Sequence, residues 1–262
     1  MSGFKKGWGY GMRNCLVLMV MALLLAACGK RGALIYPDML TPAASSDVRI
    51  GQLDAVVKLS FLLPQKDQAG RDLNDLAGVD VYRRSAVSGQ PSGCNACTVD
   101  YALFKKIYLN LPDSRIIRNG SQMILLDGDV RNDRDYSYYI IPFTTGAAVG
   151  KPSVPVMIGV TESPIPPTLK VVAEPTEIRL LFTQPAQKVD VEGYNLYRAE
   201  KGQSLTLFPH NKELIKGNSY TDIGLKRGVS YVYAVRSVVK RANGALAESG
   251  LSNQIETRLA EE

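Results

Sequence analysis

The feature that most constrains the fold of this chain is a diverged internal repeat. Three short motifs occur twice, in the same order in each half. The pairs are GVDVYRR at 78–84 with GYNLYRA at 193–199, YSYYI at 136–140 with YVYAV at 231–235, and GKPS at 150–153 with SGLS at 249–252. Because the order is kept, the sequence predicts two copies of one module.

The segments around these motifs have the character of β-strands. Residues 55–62 and 177–182 alternate apolar and polar side chains, and a proline follows each of them. The run VSYVYAVRSVV at 229–239 is dense in β-branched and aromatic residues. Turn pairs such as Asn119-Gly120 recur, and no convincing amphipathic helix follows residue 40. Many short strands with regular turns predict an all-β sandwich.

The order of elements in residues 165–260 resembles that of fibronectin type III modules. A proline-flanked entry, IPPT at 165–168, precedes strand B; GYNLYR at 193–198 and GVSYVYAV at 228–235 correspond to strands C and F; GLSN at 250–253 precedes strand G. The resemblance implies two tandem immunoglobulin-like sandwiches, with Tyr136 and Tyr231 as corner tyrosines. The one tryptophan is Trp8, ahead of both modules, so we expect Phe61 and Phe182 to fill the corresponding core space.

The first copy is longer than the second between strands C and F. Tyr82 and Tyr136 are 54 positions apart, but the matching tyrosines of the second copy are only 34 apart. Cys94 and Cys97 lie among the extra residues. An even pair in an exported protein predicts a disulfide, and a redox dithiol is the alternative. Thr98 follows the pair where haem attachment would require histidine.

The N-terminus has the composition of an export signal. Lys5, Lys6 and Arg13 precede the ten-residue apolar run CLVLMVMALL at 15–24, which is too short to span a bilayer. The next residues, LAACG at 25–29, resemble the lipobox of bacterial lipoproteins. That resemblance implies cleavage before Cys28, a lipid thioether on its sulfur and a fatty acid such as palmitate on its amine. Gly29, in place of aspartate, favours the outer membrane; an uncleaved anchor is the alternative.

The segment CGKRGALIYP at 28–37 also resembles the start of small outer-membrane lipoproteins that assist the lipopolysaccharide-assembly translocon. Arg31 and Ala33 depart from that pattern, which has lysine and proline there. The resemblance implies a binding segment with six contact residues: Lys30, Arg31, Gly32, Leu34, Tyr36 and Pro37. A plain tether, with its cations at lipid phosphates, is the alternative. Residues 38–47, DMLTPAASSD, have the composition of a linker.

Charge and ligand content argue against several functions. Beyond residue 27 the chain has 28 basic and 25 acidic side chains, so its charge gives no case for nucleic-acid binding. The single histidine, His210, supports no catalytic triad and is expected at the surface. The acidic segment 127–135 is expected to be a solvated turn, with calcium as the alternative. We expect neither a metal nor a cofactor.

These observations predict a non-enzymatic lipoprotein of the outer membrane that faces the periplasm and acts as an interaction or spacer module. The predicted organisation is a signal peptide at 1–27, a lipidated tether and linker at 28–47, and modules at 48–162 and 163–262. Its partners would be the membrane, through lipid on Cys28, and an envelope protein. A translocon accessory and a carbohydrate-binding module are the alternatives. Exposed strand edges could take up a partner strand without a sequence motif.

Overall fold

The structure is a computed structural model, and it describes residues 34, 36–89, 100–186, 190–241 and 244–261. A 3₁₀ turn at Pro37–Leu40 precedes a series of β-strands. Module 1 contains β1 Ser46–Leu53, β2 Val56–Leu62, β3 Leu76–Val87, β4 Ala102–Tyr108, β5 Ile116–Asn119, β6 Gln122–Asp127, β7 Arg134–Thr144 and β8 Val156–Val160. Module 2 contains β9 Thr168–Ala173, β10 Glu177–Thr183, β11 Val191–Glu200, β12 Ser219–Ile223, β13 Tyr231–Lys240, β14 Leu246–Glu248 and β15 Ile255–Thr257.

Each module is a sandwich of two antiparallel sheets. In module 1 the strand orders are β1-β2-β6-β5 and β4-β3-β7-β8. In module 2 they are β12-β10-β9 and β11-β13, where β14 and β15 both pair with β13. This is the immunoglobulin-like arrangement of fibronectin type III modules. The predicted fold class is confirmed.

Each sandwich has a core of its own, built by the alternation of its strands. Every second residue of β2 is buried, and β10 has the same pattern. Phe61 and Phe182 occupy matching positions on these two strands and are buried, as predicted from the absence of a core tryptophan. The two cores share no residue.

The corner tyrosines confirm the predicted repeat. The backbone N–H of Arg131 donates to the Tyr136 hydroxyl at 2.9 Å, and that of Lys226 donates to the Tyr231 hydroxyl at 3.0 Å. Both donors lie five residues before their tyrosine. Each bond therefore fixes the turn that leads into the central strand, β7 or β13.

Two further positions repeat in three dimensions. The Ser153 hydroxyl accepts from the Ile140 N–H at 3.1 Å, and the Ser252 hydroxyl accepts from the Val235 N–H at 3.0 Å. At the start of the GVDVYRR motif, a Cβ atom on Gly78 would lie 2.0 Å from the Ile107 carbonyl oxygen. Glycine is required there because the neighbouring backbone occupies the space of any side chain.

Residues 38–47, which composition assigns to a linker, are instead part of module 1: β1 begins at Ser46, and residues 37–45, which we call the strap, are bonded to the module. The Ala43 N–H donates to the Lys66 carbonyl at 3.1 Å, and the Gln68 N–H donates to that of Thr41 at 3.0 Å. The Lys151 N–H donates to the Pro42 carbonyl at 3.0 Å. The Gln68 side chain adds a bond to the Thr41 hydroxyl at 2.6 Å. Composition misses this attachment because most of these bonds are made by backbone groups.

Candidate functional site

The predicted contact segment is described only in part. Leu34, Tyr36 and Pro37 are exposed. The remaining predicted site residues lie outside the described residues: Cys28, Lys30, Arg31, Gly32 and the pair Cys94 and Cys97. Lipidation and the disulfide therefore stay predictions. In the described part of the chain, no helix has the length and apolarity needed to cross a membrane.

The acidic segment 127–135 begins with a buried carboxylate, which corrects the prediction of a solvated turn at Asp127, while Asp129 and residues 131–133 are exposed as expected. Asp127 accepts from Arg83 Nη1 at 2.7 Å and from the Tyr138 hydroxyl at 2.7 Å. Module 2 builds the same group, in which Asp222 accepts from Arg198 Nη1 at 2.9 Å and from Tyr233. The repeat motifs supply the arginine and the tyrosine in each copy, so the group is part of the module.

The electrostatics of these two groups favour structure rather than chemistry. Burial beside the aspartate raises the pKa of Tyr138 and of Tyr233, so both hydroxyls remain hydrogen-bond donors. Burial opposes the charge of Arg83, but its hydrogen bond to Asp127 raises the pKa of the guanidinium overall. Each carboxylate is thus held by a cation and a phenol.

His210 lies at the surface, as predicted, beside the aspartate of module 2. Its Nε2 atom is 3.6 Å from Asp222 Oδ1, and partial burial together with the charge of Arg198 lowers its pKa. Among the residues that the structure describes, no group of three or more His, Cys, Asp or Glu side chains is arranged to hold a metal ion.

The most elaborate arrangement of polar groups lies where the two modules meet, which sequence reasoning missed. Strand β1 of module 1 pairs in parallel with β14 of module 2, with Gln52 opposite Ala247 and Leu53 opposite Glu248. The Asp54 N–H extends the pairing by donating to the Glu248 carbonyl at 2.8 Å. One sheet of each module thereby becomes a single continuous sheet in the order β11-β13-β14-β1-β2-β6-β5.

A largely buried ion pair closes this junction. Lys58 Nζ of module 1 lies 2.8 Å from Glu248 Oε1, while the Tyr197 hydroxyl donates to Oε2 at 2.7 Å. Burial alone would raise the pKa of Glu248, but the charge of Lys58 and the hydrogen bond from Tyr197 lower it overall. Both carboxylate oxygens are therefore occupied, one by each module.

The segment that connects the modules is also held. The Gln52 side chain donates to the Thr161 carbonyl at 2.6 Å and accepts from the Thr161 N–H at 3.2 Å. Arg241 Nη2 donates to the Glu162 carbonyl at 2.6 Å, and the Ser237 hydroxyl donates to that of Ile165 at 3.0 Å. Backbone pairing, ion pair and connector thus fix one module against the other.

Five aromatic rings cluster on the β4-β3-β7-β8 sheet of module 1, where Tyr139 and Phe143 are buried and Tyr108 is exposed. Tyr82 and Tyr139 stack with ring centroids 4.9 Å apart, and Tyr101 meets Tyr139 edge-on at 4.8 Å. Nearby, Tyr108 meets Phe143 edge-on at 5.4 Å. The rings are supplied by β3, β4 and β7 and by the residue before β4, so neighbours in space are remote in sequence.

Comparisons with known proteins find two solved structures that are similar to this chain. No family model and no curated protein matches the chain. A crystal structure of the chicken CNTN1 FN1-FN3 domains is similar with a TM-score of 0.35 and 16% identity, over 84% of this chain and 68% of that one. A structure described as a myokine is similar with a TM-score of 0.31 and 16% identity, over 38% of this chain and 100% of that one.

One difference between the two copies of the repeat marks the junction in the sequence. Where module 2 has Glu248, the aligned residue of module 1 is Val149, and Arg236 is aligned with Ile141. A charge that appears in only one copy of a repeat marks a position where the two copies have different neighbours. The partner could not have been found this way, because Lys58 lies 190 residues from Glu248.

Proposed function

We propose that this chain is a lipoprotein of the bacterial outer membrane that acts, without catalysis, as a rigid interaction or spacer module in the cell envelope. The observation that carries the proposal is the junction, because a continuous sheet and a buried ion pair hold two binding-competent sandwiches in one fixed arrangement. Such a unit can present surfaces at a set distance and angle.

The anchor in this proposal rests on the segment LAACG at 25–29 behind a basic and apolar leader. Stable anchoring needs more than one acyl chain, since a single chain binds a bilayer with K of only about 10⁴ M⁻¹. The thioether and the acylated amine of a lipoprotein cysteine supply several. The periplasmic side of the outer membrane is the expected location.

Metabolic labelling with radioactive palmitate tests the anchor. The wild-type chain should incorporate label, and Cys28→Ala should abolish it, because that sulfur begins the lipid modification. Cys15→Ala is the matched control, since it lies in the leader and should leave labelling unchanged. Label retained by the Cys28→Ala chain would contradict the proposal.

A role as an accessory of the lipopolysaccharide-assembly translocon is the second candidate. It is favoured by the resemblance of residues 28–37 and by the exposure of Leu34 and Tyr36, two of the proposed contacts. Co-purification with a β-barrel translocon should be lost on changing Gly32, Leu34 and Pro37 together. Recovery equal to that of the wild type would eliminate this candidate.

A further inference from the structure

Module 2 has a surface that binds module 1, and module 1 has a similar surface of its own. On module 2 that surface, the seat, includes Asn195, Leu214, Val238, Leu246 and Glu248, which line a groove shared with module 1. The repeat aligns four of these residues with Asp80, Phe143, Ala147 and Val149, and Leu214 corresponds to Lys106 because Ile215 and Ile107 face the matching residues Tyr194 and Val79. The aligned residues also line one cavity, of about 660 Å³, which we call the free seat.

At Val149 the backbone of the free seat has the hydrogen-bonding orientation that accepts a strand on module 2, whereas Ala147 has a left-handed φ of 61° and its N–H donates to the Thr144 carbonyl. Val149 faces Phe143 across a bridge whose hydrogen bonds are made by the flanking residues, from Gly150 N–H to Pro142 and from Thr144 N–H to Ala148. The N–H and C=O of Val149 itself therefore point away from β7. Its counterpart, Glu248, uses that outward carbonyl to accept from Asp54.

No strand occupies the outer side of residues 147–149 among the residues that the structure describes. The Val149 side chain is 61% exposed, and Tyr108 beside it is also exposed. An exposed valine next to unpaired backbone groups is a typical site of strand addition.

The free seat differs from the seat of module 2 in charge. Val149 replaces Glu248 and Ile141 replaces Arg236, so the two charged positions have become apolar. Two charges are new at the free seat: Asp80 and Lys106 stand where module 2 has Asn195 and Leu214, and they lie 3.2 Å apart and pair with each other. The occupant should therefore bring an apolar side chain where module 1 brings Lys58.

A second copy of this chain does not fit that seat in the same way. The element of module 2 that corresponds to the β1–β2 hairpin is β9–β10, in which Pro175 is aligned with Asp54 and has no N–H to donate. The adjacent Glu174 carbonyl already accepts from the Ala260 N–H at 3.1 Å. The β9–β10 hairpin therefore cannot donate to the Val149 carbonyl in the way that Asp54 donates to the Glu248 carbonyl.

We propose that the free seat of module 1 binds the uncharged strand edge of another envelope protein, which adds in parallel at Val149. This deepens the proposed interaction role and rests on it. The occupant binds module 1 as module 1 binds module 2. A backbone N–H of the occupant donates to the Val149 carbonyl, and an apolar side chain enters the cavity between Tyr108 and Phe143.

The chain's own β1–β2 hairpin provides the probe. A backbone-cyclised peptide of residues 48–62, with Val57→Thr, Leu59→Thr and Phe61→Thr for solubility, would be made with lysine at position 58 or with Lys58→Leu. Its dissociation constant for the full chain would be measured by NMR titration of the Val149 amide. The Lys58→Leu hairpin should bind about tenfold more tightly than the lysine form, since a lysine at this seat would lose water without gaining a partner.

The variant Val149→Glu should reverse this preference, because it restores the carboxylate to which lysine pairs on module 2. Val154→Glu is the matched control: Val154 is 81% exposed but lies outside the cavity, and this change should leave both affinities unchanged. The proposal is overturned if neither hairpin binds or if Val149→Glu leaves the preference as it was. Self-association of the wild type that Val149→Glu abolishes would overturn it in favour of a second copy.

These outcomes are independent of the anchor. Binding at Val149 is read from an amide of module 1, whereas lipid attachment is read from label on Cys28, so failure of one proposal is distinguishable from failure of the other.

Discussion

Asp127 and Asp222 show how a residue's neighbours decide its role. In the sequence, Asp127 opens an acidic segment that is typical of a solvated turn. In the structure it is buried, because the repeat brings an arginine from strand C and a tyrosine from strand F to its Oδ2 atom. The alignment of the two copies carries this information, since Arg83 lies 44 residues before Asp127 and Tyr138 lies 11 residues after it.

Neutralising Asp127 should destabilise the protein. Asp127→Asn leaves Arg83 with its main partner uncharged in a largely buried site, and we expect a loss of roughly 3 kcal/mol in the free energy of unfolding. Denaturation by urea, followed by circular dichroism, measures the loss.

Asp129→Asn is the matched control, because Asp129 also contacts Arg83 but its side chain is 76% exposed. It should change stability by less than about 0.5 kcal/mol. Equal effects of the two changes would show that burial of the carboxylate is not what matters.

At the scale of elements, β14 joins the sheets of the two modules although it has only three residues. Strand β14 pairs with β13 of its own module on one side and with β1 of the other module on the other side. The sequence predicts the strands with strong alternation, such as β2 and β13, and it places the corner tyrosines correctly. It does not predict β14, because three residues, Leu-Ala-Glu, show no period and their parallel partner lies almost 200 positions away.

In the ion pair at β14, the contribution of Lys58 to stability should depend on Glu248, and that of Glu248 on Lys58. Glu248→Leu or Lys58→Met alone leaves one largely buried partner without its counter-charge and should cost roughly 2–4 kcal/mol. The double variant Lys58→Met with Glu248→Leu replaces the pair by apolar side chains and should recover most of that loss. A double-mutant cycle at pH 7, from urea denaturation, measures the coupling, and additive losses would refute it.

The stabilisation provided by the Lys58–Glu248 ion pair has a defined pH dependence. The pKa of Glu248 is lowered in the folded chain, so its contribution is present above its unfolded pKa of about 4.3 and is lost as the pH falls through the lower folded value. The difference in unfolding temperature between wild type and Glu248→Gln should therefore shrink below about pH 4. A difference that stays constant down to pH 3 would mean that another group provides the stabilisation.

For the whole molecule, the repeat was sufficient to predict two sandwiches but not their relation. Fold class follows from alternation and from residues such as Tyr136 and Ser153, whose partners lie within their own module. The junction depends on residues from both modules, of which Lys58 and Gln52 look like ordinary strand residues in sequence. Local patterns cannot encode contacts that arise only when two folded units meet.

The strap has a consequence for where the protein can act. Because residues 37–45 are bonded to module 1, at most the eight residues 29–36 separate that module from the lipid that we propose on Cys28. Fully extended, these eight residues reach about 29 Å, close to the thickness of a bilayer's hydrocarbon core. With the proposed lipid on Cys28, the first module would stay within that distance of the membrane. Its ligands and partners would then bind it at the membrane surface.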